Sequence, residues 1–204
     1  MPDGNLPNAN DTWHRPDMEK TLGRLAEAGW RDLYQGELGR MIADHLQSLG
    51  GILTREDMAA YEPRIGEALM TTFRNATVHG ATVTSGGLTA IEVLNMLECF
   101  PAPEVNSVAY WHLTTEVLKL AWRDRLTYVG DPDFTKVPVE RLLSKDYAAG
   151  RAEAIRQSPT RVDLEAPDLP VEPPGCTLHV STADAEGNLV AATITHGGSF
   201  GSCV

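Results

Sequence analysis

The side chains of this chain that could do chemistry are concentrated near its C-terminal end, where two strand-like segments flank a turn. Residues 177–183 and 189–196 are rich in Thr, Val and Ala, and the turn runs from Asp184 to Asn188, so we predict a β-hairpin. Its spacing pairs Thr177 with Thr195. Residues of one parity share a face of a strand, so one face is apolar, and the other carries hydroxyls and an imidazole: Thr177, His179, Ser181, Thr193 and Thr195.

Thr177 stands at a position that suits a nucleophile. It follows residues 158–175, which carry five prolines and are predicted to be a linker. Cleavage of the Cys176–Thr177 bond would leave a threonine at a new N-terminus. Such a residue supplies a nucleophilic hydroxyl together with its own α-amine as the base. Because an α-amine titrates at about pH 7.7–8.0, it accepts a proton at physiological pH.

Other chemical readings of these residue types are weaker. A row of threonines is also typical of a half-exposed strand, and His179 is more typical of a structural residue than of a general base. Nothing adjacent to Cys176 would activate its thiol. Asp131 and Asp133 are more typical of a helix terminus than of a metal loop, and residues 197–201 lack the lysine of a phosphate-binding loop. We therefore expect no metal and no cofactor.

The elements before the linker are predicted to be mostly helical. Apolar periodicity and capping residues predict helices over 16–28, 36–49, 55–61, 87–97, 107–128 and after Ser144, with strands over 67–73 and 76–83. The charged run Arg151–Arg156 is expected to face solvent. Trp13, Trp111 and Trp122 are expected to pack in the core or between helices.

Composition restricts the class of protein. The chain has 204 residues, is 42% hydrophobic and 22% charged, and has 17 Lys and Arg against 28 Asp and Glu, a formal net charge of −11. These values exclude general disorder, and the negative charge disfavours nucleic acid and anionic membrane surfaces as partners by charge repulsion. Three cysteines give no disulfide framework. We expect no nucleic-acid partner, and we see neither a membrane segment nor a signal peptide in this sequence.

Several runs in order resemble one family. They are Arg15-Pro16-Asp17, Tyr34-Gln35-Gly36, residues 50–61, Ser85-Gly86-Gly87, residues 94–98, Asp124-Arg125, residues 128–134, Val137-Pro138, residues 177–181 and Ser199-Phe200-Gly201. With these runs, the chain resembles the γ-glutamyltranspeptidases, which are N-terminal-nucleophile hydrolases, from about Arg15 to Val204.

The resemblance implies an α+β fold that is part of a four-layer αββα sandwich. Residues 1–157 would be a helical portion of the large subunit, residues 158–176 a linker ending at the self-cleavage site, and residues 177–204 the start of the small subunit. It implies self-cleavage at Cys176–Thr177 into a heterodimer. Thr177 would be the nucleophile, Thr195 would hydrogen-bond it, and a small γ-glutamyl amide such as glutathione would be the substrate.

Departures from the family pattern concern the substrate. Leu178 replaces a second threonine, and residues 81–84 replace a proline run. Gly197 stands where glutamyl-specific members carry an asparagine that contacts the substrate α-amine. The family's substrate-binding arginine, oxyanion glycines and carboxylate-binding serines would lie outside residues 1–204, so the substrate-binding residues are unknown here.

Three interpretations remain open. The first is a γ-glutamyl hydrolase or transferase, and the second uses the same mechanism on a glutaryl-type amide, as in cephalosporin acylases. The third is a truncated, non-catalytic relative. We expect the chain to be incomplete, because it stops after one hairpin, and its 204 residues alone to be poorly active. The resemblance suggests a periplasmic or extracellular location, although no leader is visible.

Overall fold

The computed structural model describes residues 8, 10, 12, 14–83, 85–157 and 175–198. It contains both helices and strands, as predicted: α1 (Pro16–Ala28), α2 (Asp32–Gln35), α3 (Glu37–Ser48), α4 (Arg55–Ala60), β1 (Leu69–Phe73), β2 (Ala76–Gly80), α5 (Gly87–Leu97), α6 (Val108–Tyr128), α7 (Val139–Leu143), α8 (Lys145–Gln157), β3 (Gly175–Ala183) and β4 (Leu189–Gly198). The chain divides into two compact units, residues 1–67 and 68–204.

The first unit is helical and is organised by Asp32. This carboxylate accepts hydrogen bonds from the backbone N–H groups of Glu37 (3.1 Å) and Leu38 (3.4 Å) at the start of α3. It also accepts a 2.9 Å bond from Arg24 Nη2 on α1. The bond from Arg24 is the main cause that lowers the pKa of Asp32 to about 2. A single side chain therefore connects α1 to the N-terminus of α3.

The local signals for α1, α3 and α4 are confirmed. Pro16 is the first residue of α1, where a missing N–H costs nothing. Thr54 caps α4: its hydroxyl accepts from Asp57 N (3.0 Å), while Asp57 Oδ2 accepts from Thr54 N (2.9 Å). Apolar periodicity did not predict α2 and α7, because helices of four and five residues are too short to show an apolar period.

In the second unit, α5 lies at the centre and packs against β1, β2, α6, α7 and α8. β1 and β2 form an antiparallel pair in which Thr71 faces Val78. The apolar core joins three helices and contains Met96, Val117, Leu120, Ala121, Ala148 and Ile155. Ser107 caps α6 as predicted, since its hydroxyl accepts from Tyr110 N at 3.1 Å.

Two of the family-like runs meet at the start of α5. A Cβ at Gly87 would lie 2.2 Å from the carbonyl oxygen of Ala81, so only glycine fits there. Arg125 of α6 donates from Nη1 to the carbonyl oxygen of Ser85 at 3.1 Å. The glycine permits a close approach of two backbone segments, and the arginine holds one of them against α6.

Four polar side chains are packed between α5, α6 and α8. Asp124 is fully buried and pairs with Arg151 through two hydrogen bonds, one of them 2.9 Å from Nε, and Tyr147 donates to Asp124 Oδ2 at 3.0 Å. Glu92 is 1% exposed and lies beside Asp124, and its Oε1 has no hydrogen-bond partner among the described residues. Burial is the first cause, and the neighbouring Asp124 the second, that raises the pKa of Glu92 to about 9.

This cluster corrects the expectation that residues 151–156 face solvent. Ala152 and Ile155 are buried, and Arg151 is half-buried beside Asp124. The charged residues of this stretch alternate with apolar ones at helical spacing, so α8 presents an apolar face to the core. Trp111 and Trp122 also differ from expectation, since each is more than half exposed. Trp13 lies outside the described residues.

We predict that Glu92→Gln weakens the pH dependence of stability. Glu92 keeps its proton in the folded state up to about pH 9, whereas in the unfolded chain it ionises above its ordinary pKa of about 4.3. The unfolded state therefore binds fewer protons between these values, and the free energy of unfolding falls as pH rises. The limit for one group is about 1.4 kcal/mol per pH unit.

Denaturant titrations of both proteins at several pH values between about 5 and 9 test this linkage. The stability of the glutamine variant relative to the native protein is expected to increase as pH rises. Parallel stability curves for the two proteins would contradict the assignment of this proton to Glu92.

Candidate active site

The hairpin predicted at the C-terminal end is present with the predicted register. β3 pairs antiparallel with β4, and Thr177 faces Thr195 while Ala183 faces Leu189. The pairing is irregular between Gly175 and Thr177, next to the predicted cleavage bond. Such an irregularity re-aims neighbouring residues of a strand. The spacing of the two strands around the turn was therefore sufficient to predict that Thr177 faces Thr195.

The two threonine hydroxyls are in direct contact. Thr177 Oγ1 donates to Thr195 Oγ1 at 2.9 Å. Thr195 Oγ1 also accepts from the backbone N–H of Gly197 at 2.9 Å. The Gly197 bond orients the Thr195 hydroxyl, which in turn limits the rotation of the Thr177 hydroxyl. This arrangement can hold a nucleophilic oxygen in one orientation.

Gly197 has a left-handed backbone conformation, with φ of +80°, and a Cβ built on it would meet nothing within 4 Å. Asparagine is one of the few other residues that adopt this conformation readily. The asparagine that the family pattern places here would therefore fit the backbone. The glycine leaves open space beside Thr195 where that side chain would extend.

His179 belongs to the same face and contacts hydroxyls on both of its ring nitrogens. Nδ1 lies 2.7 Å from Thr193 Oγ1, and Nε2 lies 3.1 Å from Ser181 Oγ. The predicted hydroxyl-rich face is confirmed by these bonds. They agree with the structural interpretation of His179, because the contact with Thr193 joins the two strands and the contact with Ser181 fixes the ring along β3.

The turn of the hairpin is held by one carboxylate. Asp184 Oδ1 accepts from Asn188 N at 2.8 Å, and Oδ2 accepts from Asn188 Nδ2 at 2.7 Å. Gly187 supplies the positive φ, +85°, that the turn requires. The hydrogen bond from the Asn188 side chain is the main cause that lowers the pKa of Asp184. This turn sets the register that pairs Thr177 with Thr195.

The opposite face of the hairpin is apolar, as predicted, and its side chains are exposed. Leu178 is 55% and Ile194 58% exposed. Val180 and Val190 share this face and are also exposed. The hairpin therefore derives its order in the described residues from strand pairing and polar cross-strand contacts.

Other candidate residues are placed as follows. Asp131 Oδ1 accepts from Asp133 N at 3.0 Å in a local turn that follows the end of α6. Within the described ranges, no group of three or more potential ligands could hold a metal ion. Among the helices that the structure describes, none combines the length and apolar character of a membrane span. The side chain of Cys176, residues 158–174 and the run Ser199-Phe200-Gly201 lie outside the described residues.

We predict that Asp184→Ala loosens the hairpin. Both oxygens of this carboxylate are engaged in the turn, so its loss removes two of the bonds that fix register. Protection of the β3 and β4 amides against hydrogen exchange is expected to fall, and the same loss of protection is expected of the native protein when acid protonates Asp184. The sign follows from the lowered pKa of Asp184, since stability from such a group is lost as pH falls through that pKa.

The matched control is Glu186→Ala, which removes a carboxylate from the same turn without removing either bond to Asn188. Exchange in β3 and β4 is expected to stay at the native rate in this variant. Equal acceleration in both variants would show that loss of charge, rather than the Asp184 bonds, controls the hairpin.

Comparisons with known proteins agree with the sequence pattern. The γ-glutamyltranspeptidase family model matches residues 1–204. A glutathione hydrolase proenzyme of Pseudomonas aeruginosa is 35% identical over 96% of this chain and 36% of its own length. An acylase ACY 1 proenzyme of a Pseudomonas strain is 34% identical over 92% of this chain and 34% of its own.

The fold comparison gives the same result. The crystal structure of a cephalosporin acylase from Bacillus halodurans superposes with a TM-score of 0.78 and 32% identity, covering 95% of this chain and 34% of the acylase. The predicted α+β class, as part of the sandwich of the N-terminal-nucleophile hydrolases, is thereby confirmed. The chain spans about a third of the length of the curated relatives it matches. It belongs to the γ-glutamyltranspeptidase family.

Proposed function

We propose that the polypeptide containing this chain is a self-cleaving amidohydrolase or acyltransferase whose nucleophile is Thr177. The observation that carries the proposal is the 2.9 Å contact between the hydroxyls of Thr177 and Thr195. The names of the relatives support it, because glutathione hydrolases and acylases are both amide-cleaving enzymes and both are named as proenzymes.

Self-cleavage would begin with the hydroxyl of Thr177. Its oxygen adds to the carbonyl carbon of Cys176, the bond from that carbon to the Thr177 nitrogen breaks, and the hydroxyl proton passes to the nitrogen. Water then hydrolyses the resulting ester and leaves a carboxylate on Cys176 and a free amine and hydroxyl on Thr177. The pairing irregularity between Gly175 and Thr177 supports this site, because regular strand pairing is interrupted there.

In turnover, the freed α-amine of Thr177 would accept the proton of its own hydroxyl as the oxygen attacks a substrate amide. The leaving amine takes that proton, and an acyl-enzyme ester remains on Thr177. Water or an acceptor amine then releases the acyl group and restores the hydroxyl. Thr195, oriented by the N–H of Gly197, would keep the Thr177 oxygen directed at the carbonyl carbon.

The products of self-cleavage would be a large and a small subunit that remain together as a heterodimer. Residues 1–157 would belong to the large subunit, residues 158–176 would be the linker that ends at the cleaved bond, and residues 177–204 would begin the small subunit. The substrate would be a small acyl amide. We assign neither a metal nor a cofactor a part in this reaction, because Thr177 would supply both nucleophile and base.

Acyl specificity has a second candidate that Gly197 favours. A γ-glutamyl group carries an α-amine, whereas a glutaryl group does not. Without the asparagine of the family pattern, no side chain of the described residues lies within 4 Å of the position that its Cβ would take. The relatives leave both choices open, since a glutathione hydrolase and an acylase are 35% and 34% identical to this chain.

We predict that Thr177→Ala abolishes self-cleavage of the natural polypeptide that contains this chain, because no other group would attack the Cys176 carbonyl. Mass spectrometry of the purified protein is expected to show one intact chain. The native protein is expected to give two fragments, the smaller beginning at Thr177.

Thr182→Ala is the matched control, since Thr182 pairs with Val190 on the opposite face of the hairpin. This variant is expected to self-cleave like the native protein. Efficient cleavage at the same bond in Thr177→Ala would overturn the nucleophile assignment.

We predict that Gly197→Asn shifts acyl preference toward γ-glutamyl substrates. The backbone accepts asparagine at this φ, and one new hydrogen bond to a charged amine is worth about 1.5–3 kcal/mol. The ratio of kcat/KM for a γ-glutamyl anilide to that for its glutaryl analogue is expected to rise about tenfold or more. Gly197→Ala controls for added volume, and an equal rise in that variant would contradict the hydrogen-bonding explanation.

A further inference from the structure

The helical part of the second unit contains a cavity whose lining residues are distant in sequence from Thr177 and Thr195. Its lining includes several charged side chains. It has a volume of about 450 Å³ and is formed by α6, α7 and α8. Its lining contains three arginines, Arg123, Arg141 and Arg151. In a chain with a formal net charge of −11, three guanidinium groups around one cavity form a local concentration of positive charge.

One of these three arginines forms an ion pair with a carboxylate in the described part of the chain, and the other two do not. Arg151 forms its ion pair with the buried Asp124. Arg123 and Arg141 form no ion pair with any carboxylate of the described ranges. Two cations therefore line the cavity without a direct ion pair to a carboxylate of the described ranges, although Asp146 lines the same cavity.

The guanidinium of Arg141 lies over two aromatic rings. Its central carbon lies 5.4 Å from the ring centroid of Tyr128 and 4.8 Å from that of Tyr147. Arg151 contacts the same Tyr147 ring at 5.2 Å, and Tyr147 is itself anchored by its bond to Asp124. Aromatic stacking uses the faces of a guanidinium and leaves its N–H edge free.

A guanidinium with fixed faces and a free edge is preorganised to bind two oxygens of one anion. The cavity volume lies in the range of small-molecule sites, about 300–1,000 Å³. We propose that this cavity binds a small oxyanion, a carboxylate or a phosphate, through the edge of Arg141 with support from Arg123. This site is independent of the hydroxyl chemistry of Thr177.

Asp146 also lines the cavity and gives the proposal a directional test. Its carboxylate repels an oxyanion, so its removal should strengthen binding, whereas removal of Arg141 should weaken it. A general loss of structure would weaken binding in both variants.

Isothermal titration calorimetry with inorganic phosphate and with succinate, on the purified natural polypeptide that contains this chain, tests the site. Saturable binding of phosphate alone would assign a phosphate site, binding of succinate alone a carboxylate site, and binding of both a shared oxyanion site. Absence of saturable binding for both anions would overturn the proposal.

Arg141→Gln is expected to weaken binding about tenfold or more. Arg141→Lys, which keeps the charge without the planar edge, is expected to lose less, and Asp146→Asn is expected to bind more tightly. The matched control is Arg156→Gln, because Arg156 also stacks on an aromatic ring, that of Phe100 at 5.0 Å, but does not line the cavity. Equal weakening by Arg156→Gln, or unchanged affinity in a folded Arg141→Gln, would overturn the assignment.

Discussion

The buried carboxylate of Asp124 is the constraint on which the helical part of the second unit depends. A charge removed from water is stable only when it is paired and hydrogen-bonded. Asp124 meets this requirement through Arg151 and Tyr147 of α8, and Glu92 of α5 lies beside it. The three helices must therefore keep the spacing that satisfies this one group. The same contacts leave the Tyr147 ring close to the guanidinium groups of Arg141 and Arg151, all of which line the cavity.

The hairpin is organised by a different principle. Its strands carry hydroxyls on one face and apolar side chains on the other, and the apolar face is open in the described residues. Order comes from backbone pairing, from the Asp184 turn and from side-chain bonds that cross between the strands. A nucleophile on such an element gains a defined position from register alone, because the period of a strand decides which residues face each other.

The contact of Thr177 with Thr195 concerns how an amide would be attacked, whereas the space beside Gly197 concerns which acyl group would be held. These two properties reside at neighbouring residues but have separate physical origins. The first depends on a hydroxyl pair that the register enforces. The second depends on a side chain that this chain lacks, at a backbone position that would accept it. A family can therefore keep its mechanism while the acyl group changes.

The sequence by itself determined features that depend on near neighbours along the chain. Pro16 begins α1, the box formed by Thr54 and Asp57 begins α4, and Ser107 begins α6. The hairpin register also followed from spacing, since its turn is short and the side-chain period of a strand is two. Family-like runs led to the fold class, because several of them occur along the chain in the family's order.

Only the tertiary structure decided contacts between distant residues. Asp124 and Arg151 are 27 positions apart, and nothing in either local stretch indicates the pairing. The burial of Ala152 and Ile155 was missed because adjacent charges suggested a solvated face, whereas packing on α5 and α6 decided which side of α8 is covered. The raised pKa of Glu92 and the free edge of Arg141 have the same origin. Both depend on which helices pack against each other. The local pattern of residues along the chain does not indicate which distant segments come into contact.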